Sequence, residues 1–219
     1  MNNNKSRNFL AIATLALATL GCGISSLLGG GSLLEDDFSS SDSGWGTGTD
    51  ATSSVEYSNG TLQMQVFTEN YFVWSTPDAE DYENIHIEAT AINNNTDPST
   101  AFGILCNQQV VDDSFYYFAV TPAQEYAIVK AAVAQTDVFL TNDDQWAKSD
   151  LIAEGASSYR VGADCGAGRL ALYVDGQLIA EVNDSTYTNG GVALFTWSGE
   201  DVPSANVSFD DFVMTKLGQ

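Results

Sequence analysis

The chain holds 29 acidic residues but one histidine, and their spacing shows no catalytic pair. Its single histidine, His86, lies in the stretch Glu83-Asn84-Ile85-His86-Ile87-Glu88. Hydrolysis of a glycosidic bond needs two carboxyl groups placed across that bond, one of them kept protonated. Glu83 and Glu88 differ in parity, so on a regular strand they point to opposite faces. His86 does share a row with Asn84 and Glu88, and a histidine–glutamate pair could transfer a proton or begin a metal site. The companion row, Ile85 and Ile87, is apolar, which makes the His86 row the polar, solvent-facing side of a half-buried strand. One histidine and one glutamate still lack further ligands or a nucleophile. No Gly-x-Ser-x-Gly elbow, P-loop or dinucleotide fingerprint occurs. No catalytic residue is assigned, and the balance leans away from an enzyme.

Aromatic side chains are the second resource. Trp and Tyr carry a broad apolar face and a polar edge, which suits them to stacking against the apolar faces of sugar rings. The candidates are Tyr71, Trp74, Tyr116, Tyr117 and Trp146, with Tyr126 and Trp197 also available. Most aromatics of a β protein belong to its core. Tyr116 and Tyr117 are adjacent, so on one strand they face opposite sides and one is expected at the surface. Trp146, in the polar stretch TNDDQWAKSD, is the best single candidate for a surface aromatic.

The elements that position these groups begin only after a leader. Lys5 and Arg7 precede an apolar run from Phe9 to Leu20, followed by Gly21 and Cys22. The run is too short for a membrane-spanning helix, which takes about 20 residues, and its layout is that of a secretory signal. Thr19-Leu20-Gly21-Cys22 resembles the bacterial lipobox, in which the cysteine is lipidated and becomes the mature first residue. Thr19 stands where most members of that motif carry leucine. The expectation is a lipoprotein signal peptide over 1–21, a lipidated Gly/Ser tether over 22–32 and one domain over 33–219. The protein would then be exported and membrane-anchored, facing the cell exterior or the periplasm.

Charge bounds the partners. Cleavage before Cys22 leaves 198 of 219 residues, with five of the seven basic residues against all 29 acidic ones. Such a polyanion lacks the Lys and Arg needed to neutralise phosphates, which excludes nucleic acid. It has no basic patch for anionic lipid either, so the membrane is expected to be held through the lipid anchor alone. Two further cysteines, Cys106 and Cys165, remain in a compartment where disulfides persist. Each sits on the more apolar row of its segment, AFGILC and YRVGADC. A Cys106–Cys165 disulfide is expected, with two separate buried thiols as the alternative.

From Leu33 onward the pattern is one of short alternating or aromatic segments between turn residues, the mark of an all-β sandwich or barrel. Val55–Tyr57 leads through Asn59-Gly60 into Leu62, Met64 and Val66, and Arg169–Val174 turns at Asp175-Gly176 into Leu178–Val182. Asn-Gly and Asp-Gly between such runs are strong hairpin signals. YFVW, IHIEATA, AFGILC, FYYFAV, EYAIVK, VALFTW and ANVSFDDFVM add further strands, about a dozen in all.

The order of these segments resembles the concanavalin A-like lectin/glucanase superfamily, in its laminin-G-like and 3-keto-disaccharide-hydrolase-like branches. The resemblance rests on DDF…SGW (36–45), FGILC, FYYFAV, the hairpin LYVDGQLIAEV (172–182), GGVALF (190–195) and the closing VSFDDFVM (207–214). It implies a jelly roll of two antiparallel sheets with the first and last strands adjacent. That adjacency would gather Asp36, Asp37, Asp210 and Asp211 at one end of a sheet, where a structural Ca²⁺ would relieve their repulsion. Otherwise each pair alternates between solvent and a turn, and no cofactor is implied. The superfamily holds sugar-binding modules, glycosidases and adhesion domains, so its fold alone does not choose among them. The leading expectation is a non-catalytic glycan-binding or adhesion module on the cell envelope, its partner an extracellular polysaccharide or glycan. The alternatives are a glycoside hydrolase-like enzyme of the same superfamily and a structural lipoprotein that binds an envelope protein.

Overall fold

The computed structural model describes residues 31–95 and 97–218. The expected signal peptide and the lipidation site Cys22 lie outside the described residues. Sixteen strands follow in chain order: β1 (Ser32–Asp36), β2 (Gly48–Thr49), β3 (Ser53–Ser58), β4 (Thr61–Val66), β5 (Phe72–Ser75) and β6 (Ile85–Asn93). Next come β7 (Ala101–Gln109), β8 (Ser114–Val120), β9 (Glu125–Ala132), β10 (Val138–Phe139) and β11 (Ala147–Lys148). The last five are β12 (Ser158–Cys165), β13 (Arg169–Val174), β14 (Gln177–Asn183), β15 (Gly191–Trp197) and β16 (Ala205–Lys216).

The larger sheet runs β14-β13-β12-β6-β16-β4-β3-β2 with β1 also on β16, and the smaller runs β10-β9-β8-β7-β15-β5 with β11 on β9. The result is an antiparallel all-β sandwich of the jelly-roll kind, as expected. The first and last long strands are neighbours, with Leu34 opposite Met214 and Asp36 opposite Phe212. Both expected hairpins form. Asn59 and Gly60, like Asp175 and Gly176, take positive φ, as a two-residue turn matched to the strand twist requires.

The two sheets differ in how many apolar faces they bury. In the larger one, β4 and β6 alternate: Leu62, Met64, Ile85 and Ile87 point inward, and Gln63, Gln65, His86 and Glu88 point outward. In the smaller one, every residue of β8 is buried, and so are the first seven of β7. One row of those strands joins the inter-sheet core through Phe102, Ile104, Tyr116 and Phe118. The other row, Leu105, Phe115, Tyr117 and Ala119, belongs to a separate apolar cluster on the outer face.

Cys106 and Cys165 are joined, Sγ to Sγ at 2.03 Å with Cα atoms 6.6 Å apart. The bond links β7 of the smaller sheet to β12 of the larger, stapling the sandwich through its core. Closing a loop of 59 residues stabilises the fold by about 4 kcal/mol on the loop-entropy model.

Candidate functional site

The outer face of the smaller sheet carries a trough. Its floor is made of small side chains: Ala101 on β7, Ala119 on β8 and Ala131 on β9 line it. Beneath the lining, Gly103 in the middle of β7 is buried, and a Cβ there would lie 1.9 Å from the Phe118 carbonyl oxygen and 3.2 Å from the Phe195 ring. Only glycine lets the strands and that ring lie so close. Large rings on flanking strands and loops form the walls and enclose a cavity of about 420 Å³.

The aromatic wall has two parts. On one side Phe72 stacks on Phe195 at 4.6 Å and 14°, and Tyr117 meets Phe195 edge-on at 5.4 Å. Trp74 and Phe115 extend this group at 6.3 Å. The second part centres on Trp146, which lies parallel to Trp197, 6.2 Å between centroids and 10° between planes, with Phe139 against Trp146 at 6.0 Å. Trp197 is itself the β15 residue opposite Phe72, so the two parts meet along β15. Both tryptophans are half-buried, so each offers part of a flat ring to the cavity. The Trp197 indole donates to the Asn70 side chain at 3.3 Å.

Polar groups share the lining with the rings. The Tyr117 hydroxyl donates to Asp137 Oδ2 at 2.7 Å. Burial and the adjacent Asp137 charge push the phenol far above its ordinary pKa, so it stays protonated and keeps donating. Burial likewise raises the Asp137 carboxyl, against the lowering effect of that hydrogen bond. Asn70, Gln135 and Glu200 also line the cavity. Convergent polar groups beside aromatic side chains are features of a small-ligand site.

Of the five sugar-stacking candidates, Trp74, Tyr117 and Trp146 meet in this trough and two do not. Tyr116 faces the inter-sheet core, fully buried, and donates to Asp184 at 2.5 Å. Side-chain alternation along β8 separates it from Tyr117, as the adjacency argument required. Neither tyrosine is exposed, however, because the wall rings cover Tyr117. Tyr71 sits at the entry to β5, where its backbone N–H donates to Ser198 Oγ at 3.0 Å; its side chain is not part of the lining. The sequence reading missed Phe72, Phe115, Phe139 and Phe195. The available signal was the unbroken apolar run in FYYFAV and AFGILC, which leaves no polar row and so implies a second apolar face.

The His86 row is less solvated than expected. His86 Nδ1 lies 2.6 Å from Asp164 Oδ1 and Nε2 lies 3.2 Å from Glu88 Oε1. Arg160 bonds Glu88 at 3.2 Å, and Arg169 bonds Asp164 at 2.6 Å and Glu181 at 2.7 Å. The Tyr173 hydroxyl donates to Asp164 at 2.8 Å. Burial opposes a charged imidazole, but the bonds to Asp164 and Glu88 outweigh it and raise His86 to about 9. The network ties β6, β12, β13 and β14 together on the outer face of the larger sheet, on the other side of the sandwich from the trough.

The four aspartates near β1 and β16 do not converge, although the strands pair. Asp36 is used locally, accepting from the Trp45 indole at 2.8 Å and the Phe38 backbone at 2.8 Å. Asp37 accepts from Ser39, and Asp210 accepts from the Asp211 backbone N–H at 2.8 Å. A bulge between Asp210 and Val213, with Asp211 at φ 49°, turns the second pair out of register. Among the described residues no group of three or more His, Cys, Asp or Glu is placed to hold a metal ion.

No protein-family model matches the sequence, and no curated protein matches it. Solved structures do resemble it. One is a carbohydrate-binding module from Bacillus subtilis, with TM-score 0.60 and 13% identity, covering 80% of this chain and 96% of that one. The shared feature is the sandwich fold. A β-glucanase from Bacillus licheniformis has TM-score 0.55 and 13% identity over 85% of this chain and 98% of its own. The κ-carrageenase of Pseudoalteromonas carrageenovora, solved with an oligosaccharide of κ-carrageenan, has TM-score 0.58 and 12% identity over 90% and 99%. The structural neighbours are thus both binding modules and glycanases of one architecture.

Proposed function

We propose that this protein is a non-catalytic glycan-binding module, held on the cell envelope by a lipid on Cys22. The observation that carries the binding role is the trough on the smaller sheet, lined by alanines and by the parallel Trp146 and Trp197 rings. The half-buried Trp146 and Trp197 rings offer apolar faces for stacking, and Asp137, Asn70 and Gln135 can exchange hydrogen bonds with hydroxyls. Sandwich neighbours that bind or cut glycans support the same reading. A glycan array probed with the purified protein tests it: retention of at least one glycan is expected, lost in the Trp146→Ala/Trp197→Ala variant. Retention that ignores both tryptophans would count against it.

A hydrolase is the second reading, favoured by the two carboxyl groups in the cavity, Asp137 and Glu200. A buried carboxyl with a raised pKa is what a general acid needs. Asp137 is instead held by Tyr117 at the loop before β10. New reducing ends released from a bound glycan, and abolished by Asp137→Asn, would move the assignment to the enzyme.

The envelope tether is tested separately. Mass spectrometry of the mature N-terminus should find an acylated peptide beginning at Cys22; an unmodified Cys22 thiol would refute the anchor.

A further inference from the structure

We propose that the trough selects uncharged glycan chains and rejects sulfated or uronate-bearing ones, with Asp137 and Glu200 as the discriminating residues. The inference rests on the reading of the trough as a glycan site and adds its substrate class. No Lys, Arg or His lines the cavity, whereas two carboxyl groups do. The cations among the described residues are elsewhere and mostly matched. Arg160 and Arg169 are bound to Glu88, Asp164 and Glu181 on the opposite face of the sandwich. Lys130 is bound to Asp184 at 2.8 Å, and Lys148 lies 3.6 Å from Glu125. Lys216 closes β16 on the larger sheet.

A sulfate or carboxylate entering the trough would lose water without gaining a cation, and an unpaired charge in an apolar cleft is strongly disfavoured. It would also meet Asp137, one of whose oxygens already takes the Tyr117 hydroxyl, and Glu200. At longer range the chain's formal charge of −22 repels a polyanion before contact. A hydroxyl suffers none of these penalties. It can donate to the Asp137 carboxylate, while Asn70 and Gln135 can donate to ring or hydroxyl oxygens. Like charges placed against each other across an interface act mainly to exclude wrong partners.

The test compares glycans that differ only in charge: κ-carrageenan against its desulfated form, and polygalacturonate against its methyl ester, beside neutral glucans and galactans on one array. Neutral forms should bind the full-length protein at least about tenfold more tightly than their charged counterparts. That ratio should shrink at high salt, where the longer-range repulsion is screened. It should also shrink in an Asp137→Asn/Glu200→Gln variant whose melting temperature shows that it folds. Equal or tighter binding of the charged forms, or a ratio that the double variant leaves unmoved, overturns the selectivity. If the charged forms bind and the Trp146→Ala/Trp197→Ala variant loses them, the trough remains a glycan site and only the selectivity falls. If no glycan binds, both fall together.

Discussion

The proposed recognition rests on two rings, Trp146 and Trp197. Large aromatics at the centre of a contact carry most of its energy, so removing either ring should weaken glycan binding by about tenfold or more, measured by calorimetry. Ala119 tests the trough from the other side. Ala119 is buried and lines the cavity, so Ala119→Phe forces a ring into that space at some cost in stability. It should abolish binding while leaving the opposite sheet's His86 network intact. His86 makes a separate prediction about stability. Its pKa is raised in the folded state, from 6.5 to about 9. The stabilisation is then fully present below about pH 6.5 and lost as pH rises through about 9. Glu88 and Asp164 are lowered, so their contribution is present above their ordinary values and lost on acidification. The melting temperature should fall between pH 7 and pH 10 in the native protein, and less steeply in His86→Gln. Identical slopes would show that the imidazole does not couple to folding.

At the scale of elements, the trough depends on strands that are apolar on both faces. Gly103 is the tightest point, since a methyl group there would collide with the Phe118 carbonyl oxygen. Gly103→Ala should cost about 1–3 kcal/mol of stability, the usual penalty for overpacking, read as a lower denaturant midpoint. The strands themselves were legible in the sequence. Alternation in TLQMQV and IHIEATA, and the Asn59-Gly60 and Asp175-Gly176 turns, mark β3, β4, β6, β13 and β14 because backbone periodicity is a local property. Parity also placed Cys106 and Cys165 on inward rows. The candidate site was half legible. Trp146 stood out in a polar loop, and the alternation of Tyr116 and Tyr117 was sound. Which of the two faced the trough was not accessible, because that depends on the sheet against which β8 packs. Likewise the four aspartates looked convergent from strand order alone. A bulge at Asp211 and the bond from Asp36 to Trp45, both tertiary details, decided otherwise.

Over the whole molecule the two faces of the sandwich divide the work. The larger sheet carries the ionic network on its outside, and the smaller carries the trough, with the Cys106–Cys165 bond joining them. Reduction of that bond should lower stability by about 4 kcal/mol without touching the trough lining. The formal charge of −22 supplies the longer-range repulsion on which the proposed preference for uncharged glycans draws. The most direct test of that recognition is a glycan array probed in parallel with the native protein, Trp146→Ala/Trp197→Ala and Ala119→Phe, all confirmed folded. The trough account predicts that the native protein retains uncharged glycans and that both variants lose them. Retention of the same glycans by both variants would contradict it.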